Sequence, residues 1–190
     1  MDFVLSSHIK GADVICLQET WLQEKETLGC EFKIDEMKMH SVSAGHGKGV
    51  TTYWKIDYTF DQEINQSDYQ MMRICSERTD IINVYRSCSN ISRSTSFLND
   101  LNQIFNRRKE TYLVGDLNLC YIEDRKHDIL RSIENMGFLQ QVKHPTHIAG
   151  RQIDHVFYYS PDSAAVLPEV LQFGQYFSDH DLIQINIAKV

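Results

Sequence analysis

Positive charge is scarce in this chain: 19 Lys and Arg stand against 26 Asp and Glu, a formal charge of −7. A protein that holds nucleic acid by phosphate neutralisation alone is usually basic, so this balance argues against a purely electrostatic binder. It leaves room for an enzyme whose carboxylates hold a divalent cation, which would bring positive charge to a reacting phosphate. Long apolar runs are missing too. No stretch approaches the roughly 20 apolar residues that cross a bilayer, and the opening MDFVLSSHIK lacks the apolar core of a signal peptide. No membrane association and an intracellular location, nuclear or cytoplasmic, are the expectations. The five cysteines (Cys16, Cys30, Cys75, Cys88 and Cys120) are odd in number and form no C-x-x-C pair. Reduced thiols are expected, with neither disulfides nor structural zinc. Low-complexity tracts and internal repeats are absent, which argues against disorder and repeat arrays.

What is present is the composition of an ordinary globular protein, 42% hydrophobic and 24% charged over 190 residues, enough for one domain spanning 1–190. Short β-rich runs read as strands at 13–18, 49–55, 69–76, 80–86, 111–115, 153–159, 164–173 and 182–188. Apolar residues at helical spacing mark helices over 96–108 and 125–138, and a short helix is expected over 2–10. GHGKG (45–49) has no helix after it and no Lys-Ser/Thr ending, so it reads as a hairpin turn and not as a phosphate-cradling loop. Strands with few helices predict a layered α/β fold, two sheets packed face to face with helices outside.

Polar clusters gather at the strand ends. The run YLVGDLNLC delivers Asp116 and Asn118 two residues apart, pointing the same way because strand side chains alternate faces. Glu19 and Thr20 end the first apolar strand, Asp154 and His155 head another, and Ser178, Asp179, His180 and Asp181 precede the last. Each cluster alone has a plainer reading as a turn, a solvated carboxylate or a helix cap. Four of them at the edges of apolar strands point to a site, because such edges are where layered α/β folds build them. His144 and His147 read as exposed loop residues, His155 as packed or hydrogen-bonded, Trp21 as core or rim packing, and Arg107, Arg108 and Lys109 as cations at a helix end.

LQET (17–20), NVYR (83–86), VGDLN (114–118), PTHIAGRQIDHVF (145–157) and FSDHDLI (177–183), in that order, resemble the endonuclease/exonuclease/phosphatase superfamily. The wording is most similar to apurinic-like endonuclease domains of non-long-terminal-repeat retrotransposons. The resemblance implies a four-layered α/β sandwich of two mixed β-sheets and a metal-dependent phosphodiesterase acting on DNA, within a mobile-element polyprotein. By the same resemblance Glu19 and Asp179 would be ligands to Mg²⁺, for which Mn²⁺ could substitute. Asp116 would orient or deprotonate the attacking water, and Asn118 would donate to a phosphate oxygen. His180 would contact the scissile phosphate with Asp154 fixing its ring, Tyr85 would supply a hydroxyl at the phosphate, and Thr146 and Ser178 would be supporting donors.

The sequence departs from the family at two places. Relatives begin with a strand carrying an active-site Asn ahead of the Glu strand, and RSCSN (86–90) lacks the proline that often follows the tyrosine. An N-terminally truncated domain without its first strand, with impaired activity, is therefore the expectation. The competing readings are a phosphatase or exonuclease acting on another phosphoester, and a non-catalytic binding module derived from such an enzyme.

Overall fold

Every residue of TDIINVYR is buried, the polar Thr79, Asp80, Asn83 and Arg86 as well as the apolar centre, as a strand covered on both faces must be. In the computed structural model of the protein, which describes residues 9, 11–21, 34–87, 94–175 and 178–187, this run is β6 (Thr79–Arg86). It lies within a six-stranded mixed sheet with β4 (Thr59–Asn65), β5 (Tyr69–Cys75), β7 (Glu110–Asp116), β8 (Leu139–Gln140) and β9 (Asp154–Tyr159), in the order β4-β5-β6-β7-β9-β8. Among the described strands only β6 and β7 pair in parallel, joined by a crossover containing helix α1 (Ser94–Ile104).

Both faces of this sheet are covered. On one side Phe97, Leu101 and Ile104 of α1, and Ile129, Leu130 and Ile133 of α2 (Asp128–Asn135), pack against Ile82, Val84, Leu113 and Phe157. His127 caps α2, its Nδ1 accepting from the Ile129 amide at 3.2 Å. On the other side Ile81, Tyr112, Val114, Val156 and Tyr158 meet a second layer made of two small antiparallel sheets. One holds β1 (Val14–Gln18), β2 (Lys38–Val42) and β3 (Val50–Trp54) in the order β1-β3-β2, the other β10 (Glu169–Phe173) with β11 (Leu182–Asn186). The described residues thus form an α/β sandwich of helices, large sheet and split second sheet. Among them, no helix is long and apolar enough to cross a membrane.

The helix expected over 2–10 lies outside the described residues except for Ile9, a buried turn residue. The GHGKG stretch is the turn between antiparallel β2 and β3, as its composition predicts. Three strands went unread: β2 and β4 lie at sheet edges with polar or exposed residues interrupting their alternation, and β8 has only 2 residues. The strand read over 164–173 contracts to Glu169–Phe173, leaving exposed Val166 and Leu167 in the approach loop. Among the described cysteines, Cys16, Cys75 and Cys120 are free thiols.

One polar bridge crosses the apolar space between the layers. Asn83 is fully buried; its Oδ1 accepts from Gln18 Nε2 at 2.6 Å, and its Nδ2 faces Leu17 O, Thr51 O and Thr52 Oγ1 at 3.1–3.3 Å. Buried amides are expected to be paired in this way. The bridge pins the end of β1 to the large sheet immediately before Glu19.

Candidate active site

Alternation along three neighbouring strands places the first part of the site. Ile81, Asn83 and Tyr85 of β6, Tyr112, Val114 and Asp116 of β7, and Asp154, Val156 and Tyr158 of β9 all face the second layer. The register pairs Tyr85 with Asp116 and Asp116 with Asp154, so the three form one row across the sheet at its edge. His155 alternates to the opposite face. There it is buried, hydrogen-bonded between Gln140 Nε2 at 2.6 Å and the Leu119 carbonyl at 3.0 Å. Burial pushes its pKa down to about 4, so it is a neutral core histidine, as its alternation predicts.

Gly115 explains why the β7 run carries no side chain before Asp116. Its φ is +134°, and a Cβ there would meet the Val84 carbonyl oxygen of β6 at 1.9 Å. Beyond Asp116 the chain turns sharply at Asn118, whose φ of 52° lies in the left-handed region that Asn tolerates better than most residues. The Asn118 amide donates to Asp116 Oδ1 at 2.7 Å, and its side-chain Nδ2 lies 2.8 Å from the Arg86 carbonyl and 3.2 Å from Asp116 Oδ2. Glu19, with φ 48°, also adopts this costly conformation, and its Oε1 accepts from the Tyr85 hydroxyl at 2.6 Å. That contact joins the end of β1 to the row on the large sheet.

Two loops supply the rest. The Thr146 hydroxyl is buried and accepts from the amides of Ile153 at 3.2 Å and Asp154 at 3.1 Å, fixing the start of β9. The loop before β11 brings His180 to Asp154, Nδ1 to Oδ2 at 2.8 Å, while Ser178 Oγ accepts from the His180 amide at 3.0 Å. Asp179 is exposed and lies 3.2 Å from His147 Nε2. The residues read from the sequence are therefore gathered at one end of the sandwich, in contact directly or through one neighbour. Thr146 and Ser178 contact backbone amides of Asp154 and His180, which makes both of them supports for other members of the site.

The electrostatics are unusual. Burial, and then the neighbouring Asp154 carboxylate, raise the Asp116 pKa to about 7, with Glu19 adding in the same direction. The hydrogen bond that the His180 ring donates to the Asp154 carboxylate raises His180 to about 9, which makes it an imidazolium at neutral pH. Ligand atoms of Asp116, Asp154 and His180 lie within 4.8 Å of one another, as do those of His147, Asp179 and His180. The carboxylates among these groups, Asp116, Asp154 and Asp179, offer oxygen ligands of the kind that a hard divalent cation prefers.

Sequence reasoning missed His147, Asn83 and Gly115. For His147 the available signal was its place in PTH, immediately after Thr146. Trp21 is an exposed rim residue, edge-on to the His46 ring at 4.8 Å between centroids. Arg107 and Lys109 lie before β7, at the end of the strand away from Asp116. Arg107 Nη1 donates to the Met136 carbonyl at 3.2 Å and Lys109 Nζ to the Ser76 carbonyl at 2.6 Å.

The family match gives the class of protein, a hydrolase of phosphoester bonds. The chain belongs to the Endonuclease/Exonuclease/phosphatase family, whose model matches residues 3–180. No curated protein matches its sequence. Solved structures share the fold at low identity. An AP endonuclease from Archaeoglobus fulgidus superposes with a TM-score of 0.70 at 13% identity, covering 94% of this chain and 90% of that one. The endonuclease domain of TRAS1, a telomere-specific non-LTR retrotransposon, gives 0.67 at 13% identity, covering 99% and 92%. A Neisseria 3′ phosphatase bound to product DNA hairpin gives 0.66 at 16% identity, covering 99% and 92%.

Proposed function

We propose that this chain is a Mg²⁺-dependent endonuclease that nicks DNA by phosphodiester hydrolysis, working as a single domain of a mobile-element polyprotein. The observation that carries the reading is the meeting of Asp116, Asp154 and His180 within 4.8 Å, beside the Tyr85–Glu19 contact. Similarity in fold to the TRAS1 endonuclease domain supports the mobile-element assignment.

Glu19 and Asp179 would hold Mg²⁺, or Mn²⁺ in its place, with Tyr85 orienting the Glu19 carboxylate. The cation supplies Lewis-acid stabilisation of charge on the phosphate oxygens. Asp116 accepts the proton of the attacking water, a task suited to a carboxylate whose pKa burial and Asp154 have lifted to about 7. Asn118 exchanges its hydrogen bond with Asp116 Oδ2 for one to a phosphate oxygen. His180, held protonated by Asp154, donates to the same phosphate from Nε2. Thr146 and Ser178 preserve the positions of Asp154 and His180 against which substrate is bound.

The test is a substrate panel in Mg²⁺: supercoiled plasmid, an oligonucleotide with a 3′ phosphate, and an inositol phosphate. Conversion of plasmid to the nicked circle, with little phosphate released from the other two, is expected. Release of phosphate from either small substrate without nicking would replace this reading with a phosphatase. No turnover of any of the three, with DNA still bound, would make the chain a binding module.

A further inference from the structure

We propose that His147 is a positioning residue for Asp179, holding its exposed carboxylate in the orientation that the cation requires; this rests on the reading of Asp179 as a ligand. His147 Nδ1 accepts from the Ala149 amide at 3.0 Å. That bond fixes the tautomer, because an acceptor Nδ1 carries no proton and Nε2 must carry it in the neutral ring. The Nε2–H points at Asp179 Oδ2, 3.2 Å away.

The loop that carries His147 is itself braced. The Thr146 and His147 amides both donate to the Arg151 carbonyl, at 2.9 and 3.0 Å, closing the turn. The Ile148 amide donates to the Asp179 carbonyl at 2.9 Å and the Asp181 amide to the Thr146 carbonyl at 2.8 Å, tying this loop to the one bearing Asp179 and His180. The His147 ring stands edge-on to His180, 4.8 Å between centroids. Asp179 has no comparable wall of its own: its side chain is 66% exposed, whereas that of His147 is 22% exposed. An exposed carboxylate is thus met by a ring that is itself largely covered and hydrogen-bonded to its own loop.

His147, Asp179 and His180 would also satisfy the ligand preferences of a transition metal, with ligand atoms within 4.8 Å. The Ala149 bond argues against that role. A cation on Nε2 would move the ring proton to Nδ1, where it would face the Ala149 N–H donor.

The experiment measures Mn²⁺ binding to the full chain without DNA, by the electron paramagnetic resonance signal of free Mn²⁺, in the wild type and in His147→Ala, His147→Gln, Asp179→Asn and His147→Ala/Asp179→Asn. Removing a partner that orients a ligand commonly costs about 10- to 100-fold in metal affinity, so His147→Ala should weaken binding by that factor. His147→Gln, which keeps a nitrogen donor within reach of Asp179, should recover most of it. In the Asp179→Asn background, His147→Ala should cause no further loss. Unchanged affinity in a folded His147→Ala, checked by circular dichroism, would overturn the proposal, as would an additional loss in the double variant, which would make His147 a ligand in its own right. Should His147→Ala fail to fold, wild-type affinity with His147→Gln supports the proposal and an affinity like that of Asp179→Asn overturns it. Absence of Mn²⁺ binding in the wild type would instead overturn the metal-dependent reading and this inference with it.

Discussion

Asp116 is a carboxylate in surroundings that oppose its charge: 4% exposed, beside Asp154, on a strand buried between two layers. Its folded pKa of about 7 lies above the ordinary value of 3.8, so the folded state binds a proton more tightly than the unfolded chain does. The resulting stability is complete below the unfolded pKa and is lost as pH rises through the folded one. Asp116→Asn should therefore raise the melting temperature of the metal-free protein at pH 8 and give little gain near pH 4, a comparison accessible to calorimetry. His180 offers a second readout at this scale. Its ring should titrate near 9 by NMR in the metal-free protein, and Asp154→Asn should bring that value down because the hydrogen-bonding carboxylate is what raises it. The types of these residues were legible in the sequence, since acids at the ends of apolar strands need a reason. Their alignment was not, because the match of Tyr85 with Asp116 and of Asp116 with Asp154 is a matter of register between strands far apart in the chain. His147 was illegible for a related reason: a loop histidine acquires a role only when a second loop brings Asp179 to it.

The site depends on how closely β6 and β7 approach and on how β1 is held above them. With a Cβ at Gly115 aimed into the Val84 carbonyl at 1.9 Å, Gly115→Ala should force the parallel pair apart. Overpacking and left-handed strain cost about 1–3 kcal/mol each, so chemical denaturation should show a loss of several kcal/mol or no folded protein. Asn83→Ala strands Gln18 and removes donors from the acceptors of β1 and β3, and should cost about 1–3 kcal/mol in the same measurement. It should also weaken metal binding, because the end of β1 carries Glu19. Central strands such as β6 and β7 were readable because burial on both faces leaves near-continuous apolar runs. Edge strands β2 and β4 were not, since half of their residues face water and need no pattern.

At the scale of the whole molecule the charge of −7 works against a polyanion. An acidic protein that binds DNA through a local cation site should bind poorly in EDTA and gain affinity with Mg²⁺, and fluorescence anisotropy on a labelled duplex would show it. Binding of equal strength with and without the divalent ion would point to a basic surface that the composition does not provide. Whether side chains from five separate stretches act as one phosphodiesterase site is decided by single-turnover cleavage of a plasmid in Mg²⁺ by the wild type, Asp116→Asn, His180→Ala and the double variant. Nicking by the wild type is expected, with losses of about 100-fold or more in each single variant and a double variant little worse than the poorer single one, as for groups acting together. Wild-type rates in either folded single variant would contradict it.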